Sequence, residues 1–314
     1  MTEKIAFVFP GQGAQYQGMG KDFYENYDEA KQVFKTADKV LNKEILRICF
    51  EGTDEELKQT SNTQPCIVAV EIAILEVLRK QFGLEPFAVA GHSLGEYSAM
   101  YCAGVMNLED TLKAIQKRAN AMSKVKDGKM AAVISDDMDL INKRLDESKN
   151  LGSISVANYN SPKQVVITGV GAAIDKAVEL LQASGIRRVI PLAVSGAFHS
   201  ELMKDSSEEF KTILDEITIN NSKIPVYTNV DAKAETLADN FKEKMPKQIY
   251  SSVYWTQTVQ NMVNDGVTTF VEIGPGSVLS GLIRKTVPEI KVYNVSDLET
   301  LKNTIEELKV KENI

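Results

Sequence analysis

The sequence predicts an α/β protein in two unequal parts: a mostly parallel sheet carrying helices, and a smaller β-α-β-β-α-β unit inserted into it. Three observations carry that prediction. Short apolar runs end in glycine turns and are followed by helix-like stretches, which is the rhythm of a parallel sheet. Between residues 128 and 194 the pattern changes to four strands and two helices. The length, 314 residues of which 43% are apolar, suffices for one large domain or two unequal ones.

Along the chain, Ile5-Ala-Phe-Val-Phe9 is a short apolar strand feeding the tight loop Pro10-Gly11-Gln12-Gly13. A helix is expected over 68–82, strongly apolar and stopping at Gly83. A strand over 87–90 ends at Gly91, and a helix follows over 94–102. Another helix, over 108–125, has Leu108, Leu112, Ile115, Ala119 and Met122 on one face. The inserted unit then reads as a strand over 130–135 and a helix marked by Met138, Ile141 and Leu145. A strand over 154–159, a turn at Asn160-Ser161-Pro162 and a strand over 164–168 follow. Ile174, Ala177, Val178 and Leu181 mark a helix ending at Gly185, before a last strand over 187–192. That order is ferredoxin-like. The expected domains are therefore 1–127 with 195–314 for the larger and 128–194 for the smaller, with a ligand cleft between them. In the larger domain Thr269-Phe-Val-Glu-Ile273 runs into Gly274-Pro275-Gly276 and a helix to Ile283, and the charged stretch after Leu298 reads as the solvated face of a terminal helix.

Composition removes several function classes. Lys plus Arg number 36 against 43 Asp plus Glu, a net charge of −7, which argues against a nucleic-acid partner. The longest apolar stretches, such as 66–75, are short and interrupted by Glu71, whereas a bilayer span needs about 20 such residues, so no membrane association is expected. The start, Met-Thr-Glu-Lys, lacks a signal-peptide pattern, and the expected location is cytoplasmic. Cys49, Cys66 and Cys102 are odd in number and widely spaced, as reduced thiols are. Two histidines do not make a histidine-rich metal site, and any imidazole base is His92 or His199.

Gly91-His92-Ser93-Leu94-Gly95 fits G-x-S-x-G with a strand before it and a helix after it, the setting of the nucleophile turn in an α/β-hydrolase-like sheet. The alternative is an ordinary glycine-rich strand-to-helix turn. Small flanking residues let the backbone fold sharply and lift the Ser93 hydroxyl clear of the sheet, where the Leu94 N–H and the helix dipole can meet a developing oxyanion. Serine needs a base. His92 should face away from it by strand alternation, and His199, just after the inserted unit, is the better candidate. Arg118 follows Ile115 by three residues on the apolar face of its helix, so it needs a buried partner. Either an internal ion pair or a clamp on a substrate carboxylate would supply one.

Six blocks resemble the malonyl-CoA:acyl carrier protein transacylase family over about residues 5–283. They are Phe9-Pro-Gly-Gln-Gly-Ala-Gln15, Gly91-His-Ser-Leu-Gly-Glu-Tyr97, Gln116-Lys-Arg118, Asn158-Tyr-Asn160-Ser-Pro162, Ser195-Gly-Ala-Phe-His199 and Glu272-Ile-Gly-Pro-Gly276. The resemblance implies that Ser93 is acylated and that His199 is its base. It implies an oxyanion hole from the N–H groups of Gln12 and Leu94, substrate contacts from Arg118, Phe198 and Asn160, and a Gln248 carbonyl that orients His199. It further implies transfer of malonyl from malonyl-CoA to acyl carrier protein by ping-pong kinetics, in a monomer with no metal and no bound cofactor. Arg187, Arg188, Arg284 and Lys285 are candidate carrier contacts, or else scattered solvated charges. Alternatives are a serine hydrolase or thioesterase on the same turn, with Asp205 or Asp231 as its acid, a stand-alone polyketide acyltransferase, and a non-catalytic carrier-binding module.

Overall fold

A computed structural model describes residues 3–194 and 196–309. Ser195, in the block before His199 and at the expected domain boundary, lies outside the described residues. Among the described residues ten strands form two sheets. They are β1 (Ile5–Phe9), β2 (Ala88–Gly91), β3 (Gly128–Val133), β4 (Ile154–Ser161), β5 (Gln164–Val170), β6 (Val189–Pro191), β7 (Val226–Tyr227), β8 (Ala234–Glu235), β9 (Thr269–Ile273) and β10 (Lys291–Val295).

The first sheet has the order β10-β9-β1-β2-β7-β8 and is parallel except for the β7/β8 pair. Phe9 pairs with Gly91 and Val8 with Glu272, so β1, β2 and β9 end together. The loops after them meet at the carboxyl edge, where ligands bind in open α/β sheets. Apolar residues of these strands face helices on both sides. Phe7 and Phe9 join one core with the helix Thr60–Phe82, and Ala6 and Val8 join another with Trp255–Asn264 and Val278–Thr286.

The second sheet is antiparallel, in the order β4-β5-β3-β6, and follows the expected strand-helix-strand-strand-helix-strand sequence. Its two faces alternate as a strand requires. Ala131 and Val133 pack on the helices Met138–Ser148 and Gly171–Ala183, whereas Met130 and Ala132 turn to the core of the larger sheet. The free edge of β4 is tied to the segment after Tyr250. Tyr159 N donates to Val253 O at 2.9 Å, Val253 N to Ala157 O at 2.8 Å, and Ser252 Oγ to Val156 O at 2.7 Å.

Several elements differ from expectation. The helix expected over 68–82 begins eight residues earlier, at Thr60, and carries Pro65 inside it. Proline has no N–H to give the carbonyl four residues back. That carbonyl, Ser61 O, instead accepts from Lys43 Nζ at 2.6 Å and Gln116 Nε2 at 3.1 Å, so the helix continues. It is long and apolar enough to cross a bilayer, unlike the short runs read from sequence, but almost all of it is buried inside the protein. Strand β4 runs through Asn160 and Ser161, leaving only Pro162 and Lys163 for the turn, because register shifts after Val156 and Tyr159 let the strand continue. The helix Leu298–Leu308 buries Leu301, Thr304 and Ile305, so it is part of the core as well as a solvated face. Four helices between Lys21 and Lys58, and strands β7, β8 and β10, had no counterpart in the sequence reading.

Candidate active site

Ser93 sits at φ 54 in the turn between β2 and the helix Gly95–Cys102. The flanking glycines are needed for want of space. A Cβ on Gly91 would lie 2.0 Å from the Gly95 backbone, and one on Gly95 would lie 2.2 Å from Phe9 O. The loop after β1 presses on the same turn, since a Cβ on Gly11 would come within 2.8 Å of His92 O. Gln12 therefore stands beside Leu94 in the wall of one cavity. Neither amide N–H donates to a described residue, whereas the Ser93 N–H is taken by Asn229 Oδ1 at 2.7 Å.

His199, 4% exposed, also has a left-handed backbone, φ 58. Strain of this kind costs about 1–3 kcal/mol and persists where the surroundings impose it. Nε2 lies 2.8 Å from Ser93 Oγ, and Nδ1 lies 2.9 Å from Gln248 O and 3.1 Å from Ser251 O. Both carbonyls are acceptors only, so Nδ1 carries the ring hydrogen and Nε2 presents its lone pair to the Ser93 hydroxyl. They close the C-terminus of the helix Ala238–Tyr250, where unsatisfied carbonyls carry partial negative charge. A helix end thus occupies the place of a triad carboxylate. Asp205 is exposed, and Asp231 pairs with Lys244 at 3.0 Å, so neither serves His199. Burial, then the Arg118 charge and then His92, hold the His199 pKa down to about 3, and the imidazole is neutral near pH 7.

Arg118 is wholly buried on the helix Leu108–Met122. Its hydrogen-bond partners are neutral: Gln64 Oε1 at 2.7 Å from Nη1, and Ser93 Oγ and Gln248 Oε1, each 3.0 Å from Nη2. Nε has no partner, and the face of Tyr97 lies 5.7 Å away. Among the described residues no carboxylate forms an ion pair with it, so the internal-pair reading of Arg118 fails. Glu96 acts on it only at longer range. Burial pulls the guanidinium below its ordinary pKa, opposed by Tyr97 and Glu96.

Two cavities share Gln12, His92 and Leu192. The inner one, about 90 Å³, holds Ser93, His199 and Arg118 and is walled by Met122, Met130, Val194 and Phe198. The outer one, about 250 Å³, runs between the loop 11–14, the second sheet and Leu279. His92 does not face away as strand alternation suggested. The extended backbone ends at Gly91, and the ring lies in the shared wall with Nε2 2.8 Å from Asn160 Oδ1. Asn160 therefore holds His92 and reaches only the outer cavity. Of the basic candidates, Arg188 and Lys285 meet Lys163 around a further cavity that shares Gln164 with the outer one. Arg284 Nη2 instead donates to Val292 O at 2.7 Å, and Arg187 is exposed elsewhere.

Sequence reasoning missed Gln64, Asn229, Ser251 and the side chain of Gln248, whose Nε2 donates to Ser93 O at 2.8 Å. Glu96 stood in a quoted block without a role. Gln64 precedes Pro65 inside the helix Thr60–Phe82, ahead of the stretch that the sequence marks as helical.

The acyl transferase domain family model matches residues 6–309. A malonyl CoA-acyl carrier protein transacylase of Bacillus subtilis is 42% identical over 98% of each chain. The crystal structure of the Clostridium perfringens protein of that name superposes with a TM-score of 0.93 at 37% identity, covering 98% of this chain and 97% of that one. A malonyl-transacylase solved in complex with its type II PKS acyl-carrier protein also gives 0.93, at 35% identity over 97% of this chain and 100% of that one. With its serine turn, buried histidine and an arginine that lacks a carboxylate partner among the described residues, the chain belongs to the acyl transferase domain family, among the malonyl CoA-acyl carrier protein transacylases.

Proposed function

We propose that this chain moves a malonyl group from malonyl-CoA to the pantetheine thiol of an acyl carrier protein, through an ester on Ser93, in fatty acid synthesis. The observation that carries this reading is Ser93 Oγ held between a neutral imidazole, 2.8 Å away, and a buried guanidinium without a carboxylate partner, 3.0 Å away. In the first half-reaction the Ser93 proton passes to His199 Nε2 as Oγ attacks the thioester carbonyl. The N–H groups of Leu94 and Gln12 receive the oxyanion. The C–S bond then breaks, and the coenzyme A sulfur takes the proton from His199. In the second, the pantetheine thiol gives its proton to His199 as its sulfur attacks the ester carbonyl; the bond to Ser93 Oγ then breaks, His199 returns the proton to Oγ, and malonyl leaves as the carrier thioester. Arg118 pairs with the free malonyl carboxylate, Phe198 bounds the acyl group, and the outer cavity accepts the pantetheine arm, with Asn160 and His92 along it. Gln248 orients the base through its carbonyl.

In this reading the larger unit, 1–127 with 195–314, is α/β-hydrolase-like, and 128–194 is a ferredoxin-like insertion whose strand order supports the assignment. Three buried free cysteines suit a cytoplasmic location. The hydrolase alternative is weakened by the carbonyl partners of His199. A polyketide carrier stays a second acceptor to test, because one structural relative is bound to one. The test is incubation with malonyl-CoA alone and peptide mass spectrometry, then addition of fatty acid or polyketide carrier protein. An ester on Ser93 that carrier discharges much faster than water is expected. No adduct, or discharge by water as fast as by carrier, would overturn the reading.

A further inference from the structure

Beneath the Ser93 turn lies a side chain to which no role has been assigned. Asn229 follows β7 and is 1% exposed. Its Oδ1 accepts the Ser93 N–H at 2.7 Å and its Nδ2 donates to Gly91 O at 2.7 Å, so one amide bridges both sides of the turn. Its own N–H donates to Glu96 Oε2 at 2.6 Å, and Glu96 is buried in the first turn of the helix that leaves the serine. The bracket closes on itself through strand end, turn, helix start and the neighbouring strand's loop.

We infer that Asn229 is a positioning residue that holds Ser93 in its reactive conformation, with Glu96 as its anchor. Ser93 has φ 54, a region that a residue with a side chain leaves unless it is held. The two Asn229 bonds are the hold, because they match the donor of Ser93 and the acceptor of Gly91 to a rigid amide that supplies one of each. The bracket also settles which amide is free. With the Ser93 N–H occupied, the next along the turn, Leu94, is left to receive an oxyanion. A misplacement of about 1 Å at the nucleophile is enough to cost roughly a hundredfold in rate.

The inference rests on the Ser93 reading, and one experiment separates the two. Rapid-quench mass spectrometry follows malonyl-Ser93 formation against malonyl-CoA concentration in the unsubstituted protein, Asn229→Ala, Asn229→Asp, Glu96→Ala and Glu96→Gln. Asn229→Asp keeps the size and an acceptor for the Ser93 N–H, and stands in if Asn229→Ala does not fold. The expected result is a maximal acylation rate lowered roughly 10- to 100-fold in the Asn229 variants, with half-saturation within threefold. Glu96→Gln, which keeps an oxygen for the Asn229 N–H, should recover most of what Glu96→Ala loses. A folded Asn229 variant with an acylation rate within threefold of the unsubstituted protein, or a loss confined to half-saturation, would overturn the inference while leaving the Ser93 reading intact. Absence of the ester in the unsubstituted protein would remove both.

Discussion

Replacing Arg118 by alanine separates the acid clamp from every other part of the proposed mechanism. Arg118 makes three bonds that both substrates share: it donates to Gln64 Oε1, Ser93 Oγ and Gln248 Oε1. In the proposed mechanism it does one thing that only malonyl can use, which is to offer a buried cation to a free carboxylate. The ratio of malonyl to acetyl kcat/KM therefore cancels the shared terms. A hydrogen bond to a charged group contributes about 1.5–3 kcal/mol, which at about 1.4 kcal/mol per decade is a ten- to 150-fold change in that ratio. The upper end is favoured, because the guanidinium is fully buried with Nε unpartnered and, among the described residues, no carboxylate in ion-pair contact with it. Malonyl would bring the missing counterion. In Arg118→Ala its carboxylate would instead enter the cavity unpaired, and acetyl would pay no such cost. The assay is steady-state transfer from malonyl-CoA and acetyl-CoA to carrier protein, with circular dichroism to check folding. A ratio that moves less than threefold in a folded variant refutes the clamp.

Three further outcomes follow from the same geometry. His199→Gln should abolish both half-reactions together, lowering ester formation by about three orders of magnitude or more; persistence of either in rapid-quench assays would mean another base. Because His199 is held down to about 3, the acylation rate should not fall as pH drops through 6.5, the ordinary histidine value, and an acid limb there would contradict the neutral-base assignment. Burial raises Glu96 from 4.5 to about 7, so the folded protein binds the extra proton and loses stability as pH rises from 4.5 to 7. Glu96→Gln removes that loss, and its unfolding free energy in denaturant titrations should gain on the unsubstituted protein across that window by up to about 3 kcal/mol; a pH-independent difference would refute it.

The parts legible in the sequence are those in which local pattern and tertiary role coincide. Gly91 and Gly95 flank the serine because backbone passes within about 2 Å of where their side chains would be, and spacing alone carries that. The alternation of β3 against β5 likewise shows in its residue types. Asn229 was not legible, because a polar residue after a two-residue strand looks the same whether it faces water or a nucleophile 136 positions away. The start of the helix at Thr60 was hidden for a related reason. Pro65 reads locally as a break, and only the distant Lys43 and Gln116 satisfy the carbonyl it frees. Arg118 was half legible: its place on an apolar face showed burial, and the lack of a carboxylate partner needed the fold.

That missing partner and the missing triad acid are one feature of the site. A carboxylate on His199 Nδ1 would sit next to a buried guanidinium and would pair with it, closing the clamp to substrate. Helix-end carbonyls orient the imidazole without a full negative charge. On the proposed reading Arg118 then has no rival for the malonyl carboxylate, and its charge adds to burial, the larger cause, in holding the His199 pKa down. The cost falls on the base, which is a poorer proton acceptor with two carbonyls behind it than with an anion. A bound malonyl carboxylate would neutralise Arg118 and relieve its share of the His199 pKa depression, leaving the larger share that burial causes. Substrate would thus supply both the counterion and part of the driving force for proton transfer. An acyl group without the free carboxylate would leave Arg118 unpaired and His199 at its weakest, so the proposed selectivity for malonyl would be expressed in the chemical step as well as in binding.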